Sequence, residues 1–179
     1  MTETASGWCI PLVKRIKLRQ WILFGILGAL IFALKVCMAV LPNIEPVSLL
    51  LLVLGAVMGF KTLYPMYVYV AMEILCFGLG TWNFCYLYVW LVPVLAGVML
   101  KKMDAALGWA LVSGVFGLVF GALCGIVDIF IGGFGYAAAK WVSGIPFDIA
   151  HCAGNFVMAL VLFQPLRKLL ERLYAETGR

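Results

Sequence analysis

The sequence predicts an all-α integral membrane protein with six transmembrane helices and both termini in the cytoplasm. Three observations carry this prediction. Hydrophobic residues make up 65% of the 179 and charged residues only 12%, where a soluble domain carries about 25% charged residues; mean hydropathy is +1.11. Apolar runs of membrane-spanning length alternate with short clusters of charge. Once six spans are drawn, eleven of the thirteen Lys and Arg fall on one face, leaving Lys35 and Lys140 for the other. The positive-inside rule makes the basic face cytoplasmic. The same clustering argues against nucleic acid as the partner of a +5 chain, because the bases flank apolar runs and act as snorkelling and topology charges.

The elements follow in order. Residues 1–18 form a basic cytoplasmic N-terminal segment, and no small-x-small cleavage site follows it, so it does not read as a signal peptide. A six-helix membrane domain covers 19–170, and 171–179 form a cytoplasmic tail. The first span runs over 20–41 and stops at Pro42. The second, 47–60, is short for a hydrocarbon core of about 30 Å, and Ser48 is placed to cap its start. Spans three to five cover 64–79, 84–100 and 105–131. The sixth begins near Pro146, which suits a first helical turn because proline lacks the N–H that would go unpaired there, and ends near 166.

Small residues recur every four positions at Gly25, Ala29 and Ala33 and again at Gly117, Gly121 and Gly125. Such stripes let helices approach closely in lipid. The second stripe suggests packing within the chain; the first could receive another subunit. Six cysteines without a C-x-x-C pair, mostly inside apolar runs, read as small hydrophobes rather than disulfides or metal ligands.

Polar groups concentrate in the outer half. Glu45, Glu73, Asp128 and Asp148 lie there with Lys35, His151 and Asn155. Ionisable groups within a span cost about 2.5–3.5 kcal/mol each on insertion scales, so they normally face protein or a wet cavity. In "SGIPFDIAHCAGNF", Asp148, His151 and the amide of Asn155 share one helical face, as either a ligand-binding wall or a network pinning the sixth helix. "LPNIEPVS" displays Asn43 and Glu45 on a connection stiffened by Pro42 and Pro46. In "GLGTWNFCYLYVW" the aromatics, Tyr86 among them, fit an interfacial belt, while Trp82 and Asn83 at the loop tip suit a flat, hydrogen-bonding ligand.

Familiar catalytic devices do not fit. "GAVMGFKT" has Phe60 where a phosphate-binding loop needs glycine, and a single histidine cannot build a His-Glu-x-x-His metal site. No metal, cofactor or ATP site is expected in this chain.

The six spans, the short second helix after a proline-rich outer loop, and the segments "LPNIEPVSLLLL" and "GIPFDIAHCAGNFVMALVLFQPL" resemble the substrate-binding S components of energy-coupling factor (ECF) transporters. The resemblance covers about residues 19–170. It implies an outer pocket for a vitamin or related micronutrient, a transmembrane coupling protein and two cytosolic ATPases as partners, and no enzymatic activity in the chain itself. The family's Ala-x-x-x-Ala coupling motif matches Ala29 and Ala33, with Gly25 one turn before. Its metal-uptake branch opens on Met-His, whereas this chain opens on Met-Thr and has one histidine, so cobalt or nickel is not expected. Four outer acids beside Lys35, His151 and aromatics suit an organic ring compound bearing donors or positive charge. Two other readings stay open: a stand-alone proton- or ion-coupled carrier, with Glu73 or Asp128 carrying the proton, and a membrane enzyme using Asp148 and His151 as an acid–base pair.

Overall fold

The computed structural model describes residues 18–40 and 44–177. Every regular element among them is helical: α1 (Leu18–Cys37), α2 (Val47–Met58), a 3-10 turn (Gly59–Thr62), α3 (Leu63–Phe77), α4 (Thr81–Val89), α5 (Leu91–Met99) and α6 (Ala106–Thr177). Four helical stretches are long and apolar enough to cross a membrane: Leu18–Cys37, Val47–Phe77, Thr81–Met99 and Ala106–Glu176. Helices suit such a chain because they satisfy every interior backbone group without water.

Two of the four stretches fold back on themselves. In α6 the break is Gly133, with φ 79° and ψ 176°, a conformation open to glycine because it has no Cβ. Its arms, 106–132 and 134–177, then lie antiparallel. Lys140 meets Asp128, Asp148 meets Gly121 and Asn155 meets Ser113, and one residue number falls as the other rises. The second reversal is at Gly59 (φ 62°). It sends α3 back along α1 in parallel, with Trp21 against Tyr64, Gly28 against Val68 and Lys35 against Glu73.

The bundle therefore has two ends. One holds Gly133, the close of α1 and α3 and the start of α2. The other holds Lys61, whose ammonium lies over the Tyr174 ring, and the 100–105 connection. Arg167 clamps that connection, donating to the carbonyls of Lys101 (2.9 Å) and Met103 (3.1 Å). The Trp109 indole donates to the same Met103 carbonyl.

At the centre stands α2. Nine of its twelve residues are buried, as expected of a helix apolar on every side. One hydrophobic cluster joins it to α1, α3, α4, α5 and the first arm of α6 through Phe24, Ile31, Met66, Trp90 and Phe116. A second joins it to both arms through Trp109 and Phe163, whose rings stack at 4.0 Å. Gly55 and Gly97 let α2 and α5 touch backbone to backbone: a Cβ on Gly55 would stand 2.6 Å from the Val94 carbonyl oxygen. Twelve residues span only about 18 Å, and the 44–46 connection leads into α2 at the Gly133 end, where Glu45 meets His151.

Three expectations need correction. Pro146 does not open a helix: it lies inside the second arm, which starts at 134; membrane helices tolerate an interior proline where the freed backbone groups find other partners. Ser48 does not cap α2; Pro46 occupies that position with no side-chain cap, and Ser48 is buried in the first turn. The span over 84–100 falls on the single stretch Thr81–Met99, built from two helices, α4 and α5, that meet at Trp90. Two cysteines are not merely small hydrophobes: Cys85 and Cys124 form a disulfide tying α4 to the first arm of α6. The short α2 and the length of the first arm agree with the sequence reading.

Candidate functional site

The Gly133 end gathers a cluster of side chains from α1, α2, α3, α4 and both arms of α6. Its first feature is an ion pair. Lys35, on the last turn of α1, donates to Glu73 Oε2 at 2.6 Å. Glu73 is 1% exposed and Lys35 24% exposed. The pairing follows from the parallel packing of α1 on α3, made possible by Gly28, where a Cβ would run into Val68 and the Pro65 carbonyl. A buried carboxylate without a partner would cost several kcal/mol; Lys35 offsets that.

Aromatic rings surround the pair. The Lys35 ammonium lies 5.2 Å from the Tyr86 ring centroid, 6.0 Å from Tyr69 and 5.9 Å from Phe77, within the range of cation–π attraction. Trp90 packs edge-on against Tyr69 and Tyr86, and its location at the α4–α5 junction places the indole in the wall. Phe120 joins Trp90 to His151, whose ring stands edge-on to it at 4.9 Å.

His151 faces the connection into α2. Its Nε2 lies 3.5 Å from Ser48 Oγ and 3.7 Å from Glu45 Oε1, the first at the outer limit of hydrogen-bond length. Burial pushes the Glu45 carboxyl up to about 8; Lys35 pulls it down and Glu73 pushes it further up. Near neutral pH Glu45 therefore exists largely as the uncharged acid. Several polar atoms in this region are buried without a hydrogen-bond partner: Glu45 Oε1, Glu73 Oε1 and the Trp90 indole nitrogen. Buried polar atoms normally have partners, so two acceptors and a donor stand ready for something else.

The stripe of Asp148, His151 and Asn155 splits by role. All three are buried. Asp148 accepts from the Gly121 backbone N–H at 3.1 Å, and Asn155 donates to the Ser113 carbonyl at 3.3 Å. These two stitch the α6 arms together, while His151 turns to Ser48 and Glu45. The stripe of small residues explains the spacing: a Cβ on Gly117 would meet the His151 carbonyl at 2.8 Å, and one on Gly121 would meet the Asp148 carboxylate. Gly125 has open space instead.

Asn83 is not a free amide at a loop tip. Its side-chain oxygen accepts from the Gly80 N–H at 2.6 Å and closes the first turn of α4. Trp82 is half exposed and covers Gly80 so closely that a Cβ there would overlap its ring. It lines a separate cavity of about 230 Å³, together with Tyr86, Phe120, the Cys85–Cys124 disulfide and Asp128, which pairs with Lys140 at 2.6 Å. Tyr86 and Phe120 line this cavity and also touch the Lys35 ammonium and the His151 ring respectively. Asn43 lies outside the described residues. On α1, Gly25 has nothing within 4 Å of where a Cβ would sit, and Ala33 is exposed, so this stripe stays uncovered.

No family model, curated protein or solved structure matches this chain. Reading the sequence missed Ser48, Tyr69, Trp90 and Phe120 as wall residues and Lys140 as the partner of Asp128. Aromatics inside an apolar run carry no mark separating a pocket wall from lipid-facing packing. Lys140 lies twelve positions beyond Asp128, and only the Gly133 reversal brings them together.

Proposed function

We propose that this chain is the membrane-embedded substrate-binding subunit of an ECF-type importer, capturing a vitamin or related organic micronutrient at the Gly133 end. The observation that carries the reading is the convergence of Lys35, Glu45, Glu73 and His151 among aromatic rings, with buried acceptors and a donor left unpartnered; the ligand's recess is proposed there. Such a mix of apolar surface and a few convergent polar groups is the usual chemistry of a small-molecule site. In this reading the chain crosses the bilayer six times with both termini cytoplasmic. The two reversals support that count. The clustering of Lys61, Lys101, Lys102, Arg167 and Lys168 away from Lys35 and Lys140 supports the orientation. A coupling protein would dock on Gly25, Ala29 and Ala33, and the ATPases would be separate subunits.

The test has two parts. The purified chain binds its vitamin without ATP, and uptake by cells depends on the coupling protein and the ATPases. Uptake unchanged after deletion of those subunits contradicts the importer reading.

One observation favours a second reading, a stand-alone proton-coupled carrier. Glu45, with its carboxyl pushed up to about 8, can exchange a proton near neutral pH, whereas Glu73 and Asp128 are engaged by Lys35 and Lys140. Under that reading the chain alone, in proteoliposomes, would accumulate substrate in response to a proton gradient.

A further inference from the structure

The group that Glu73 and its neighbouring rings already hold is itself a cation. The Lys35 ammonium sits between the Glu73 carboxylate and the rings of Tyr86, Tyr69 and Phe77. Carboxylate plus aromatic faces is the chemistry that recognises an ammonium or a cationic ring. The two sides of this contact differ in kind. Glu73 and Tyr69 are wholly buried on α3, fixed by the α1–α3 packing. Lys35 reaches them on a four-carbon stem from the last turn of α1 and is 24% exposed, so it can swing outward without moving a helix. Glu73 Oε1 and Glu45 Oε1, both buried without hydrogen-bond partners, are acceptors that Lys35, bonded to Glu73 Oε2 alone, leaves unsatisfied.

We infer that Lys35 is a tethered stand-in for the ligand, and that the ligand is an organic monocation, an ammonium or a positively charged nitrogen heterocycle, which displaces the Lys35 ammonium from Glu73 and its aromatic cage. This rests on the receptor reading above and gives that receptor its substrate class. Charge favours it. With Lys35 swung out, Glu73 is left with an unmatched negative charge in a buried site, which a monocation restores to balance. An anionic ligand would instead meet two carboxyl groups, with the nearest ammonium already engaged. The Trp90 indole N–H, also unpartnered, adds a donor for an acceptor atom elsewhere on the same molecule.

The sign of one substitution separates this from the ordinary assumption that a pocket lysine holds the ligand. Full-length chain in lipid nanodiscs would be titrated at pH 7.5 with three probes of similar size, 1-methylpyridinium, 3-methylpyridine and nicotinate, and followed by tryptophan fluorescence. The expected result is binding of 1-methylpyridinium in preference to the other two. Lys35→Met, by removing the internal competitor, should tighten that binding by about tenfold, and Glu73→Gln should weaken it by about the same factor. Preference for nicotinate, or weaker cation binding by Lys35→Met, overturns the inference. Should Lys35→Met fail to fold, the wild-type chain gives the answer by reductive methylation of Lys35 read by peptide mass spectrometry. Saturating 1-methylpyridinium should speed the modification, and an unchanged or slower rate overturns the displacement. A chain that binds a neutral or anionic vitamin but no cation defeats this inference and leaves the receptor standing. A chain that binds no compound from a broad vitamin panel defeats both.

Discussion

Glu45 shows how a single residue sets a pH dependence. Its carboxyl rises to about 8 in the folded chain from an ordinary value of 4.5, chiefly through burial. The folded state thus holds a proton that the unfolded state releases. Linkage then fixes the sign: this contribution is fully present below about pH 4.5 and is lost as pH rises through about 8. The melting temperature of the wild-type chain should fall between pH 5 and 8 and level off above. Glu45→Gln, neutral throughout, should flatten that slope. Equal slopes in the two proteins would mean that Glu45 is solvated.

Residue by residue, the sequence showed which polar groups avoid lipid but not whom they meet. Glu73, Asp128, Asp148, His151 and Asn155 are all buried, as scarce polar groups in an apolar chain should be. Their partners come from helices 12 to 103 positions away, and periodicity carries no information on that. Asn83 is the exception. It caps α4 by accepting from the Gly80 N–H three positions earlier, but Gly-x-x-Asn is not the Ser/Thr-x-x-Glu/Gln pattern that would announce this in sequence.

Among the elements, the hairpin of α6 makes the sharpest predictions. Gly117→Ala would drive a Cβ into the His151 carbonyl and the Cys152 backbone nitrogen, each at 2.8 Å, and backbone cannot rotate away as a side chain can. Overpacking of this kind costs about 1–3 kcal/mol, and it should also displace His151. Gly125→Ala meets open space and should be neutral or stabilising by up to about 1 kcal/mol through helix propensity. Thermal melts of the two variants side by side check the contact. If both melt alike, the arms do not pack as described.

The disulfide belongs to the same scale. Cys85 and Cys124 join α4 to the first arm over 39 positions, and closing a loop of that length typically stabilises by about 2–4 kcal/mol. Peptide mapping under non-reducing conditions should recover the Cys85–Cys124 link, with Cys37, Cys76 and Cys152 alkylated as free thiols. The double substitution to serine should lower the melting temperature. Spacing alone could not have found this bond, because the two cysteines lie on different helices and meet only when α4 packs on α6. Pro146 likewise sits within the second arm, because a first-turn preference does not bar an interior proline from a membrane helix.

For the molecule as a whole, the alternation of apolar runs and charge made the helical membrane character legible, and the reversals at Gly59 and Gly133 give it a bundle. Orientation can be checked directly. In a cysteine-free background, Lys140→Cys should react with a membrane-impermeant maleimide on intact cells, and Lys102→Cys only after the cells are opened. The reverse pattern would invert the topology and place the recess on the cytoplasmic side.

The central claim is that the recess around Lys35, Glu45, Glu73 and His151 holds a small organic molecule, and native mass spectrometry of the purified chain against a panel of vitamins and related micronutrients tests it most directly. We predict a one-to-one complex with a panel member, formed without ATP and weakened by His151→Gln, which leaves a buried hydrogen bond unmade at a cost of about 1–3 kcal/mol. A chain that carries no small molecule from the whole panel, or one whose complex is indifferent to both His151→Gln and Glu73→Gln, would contradict it.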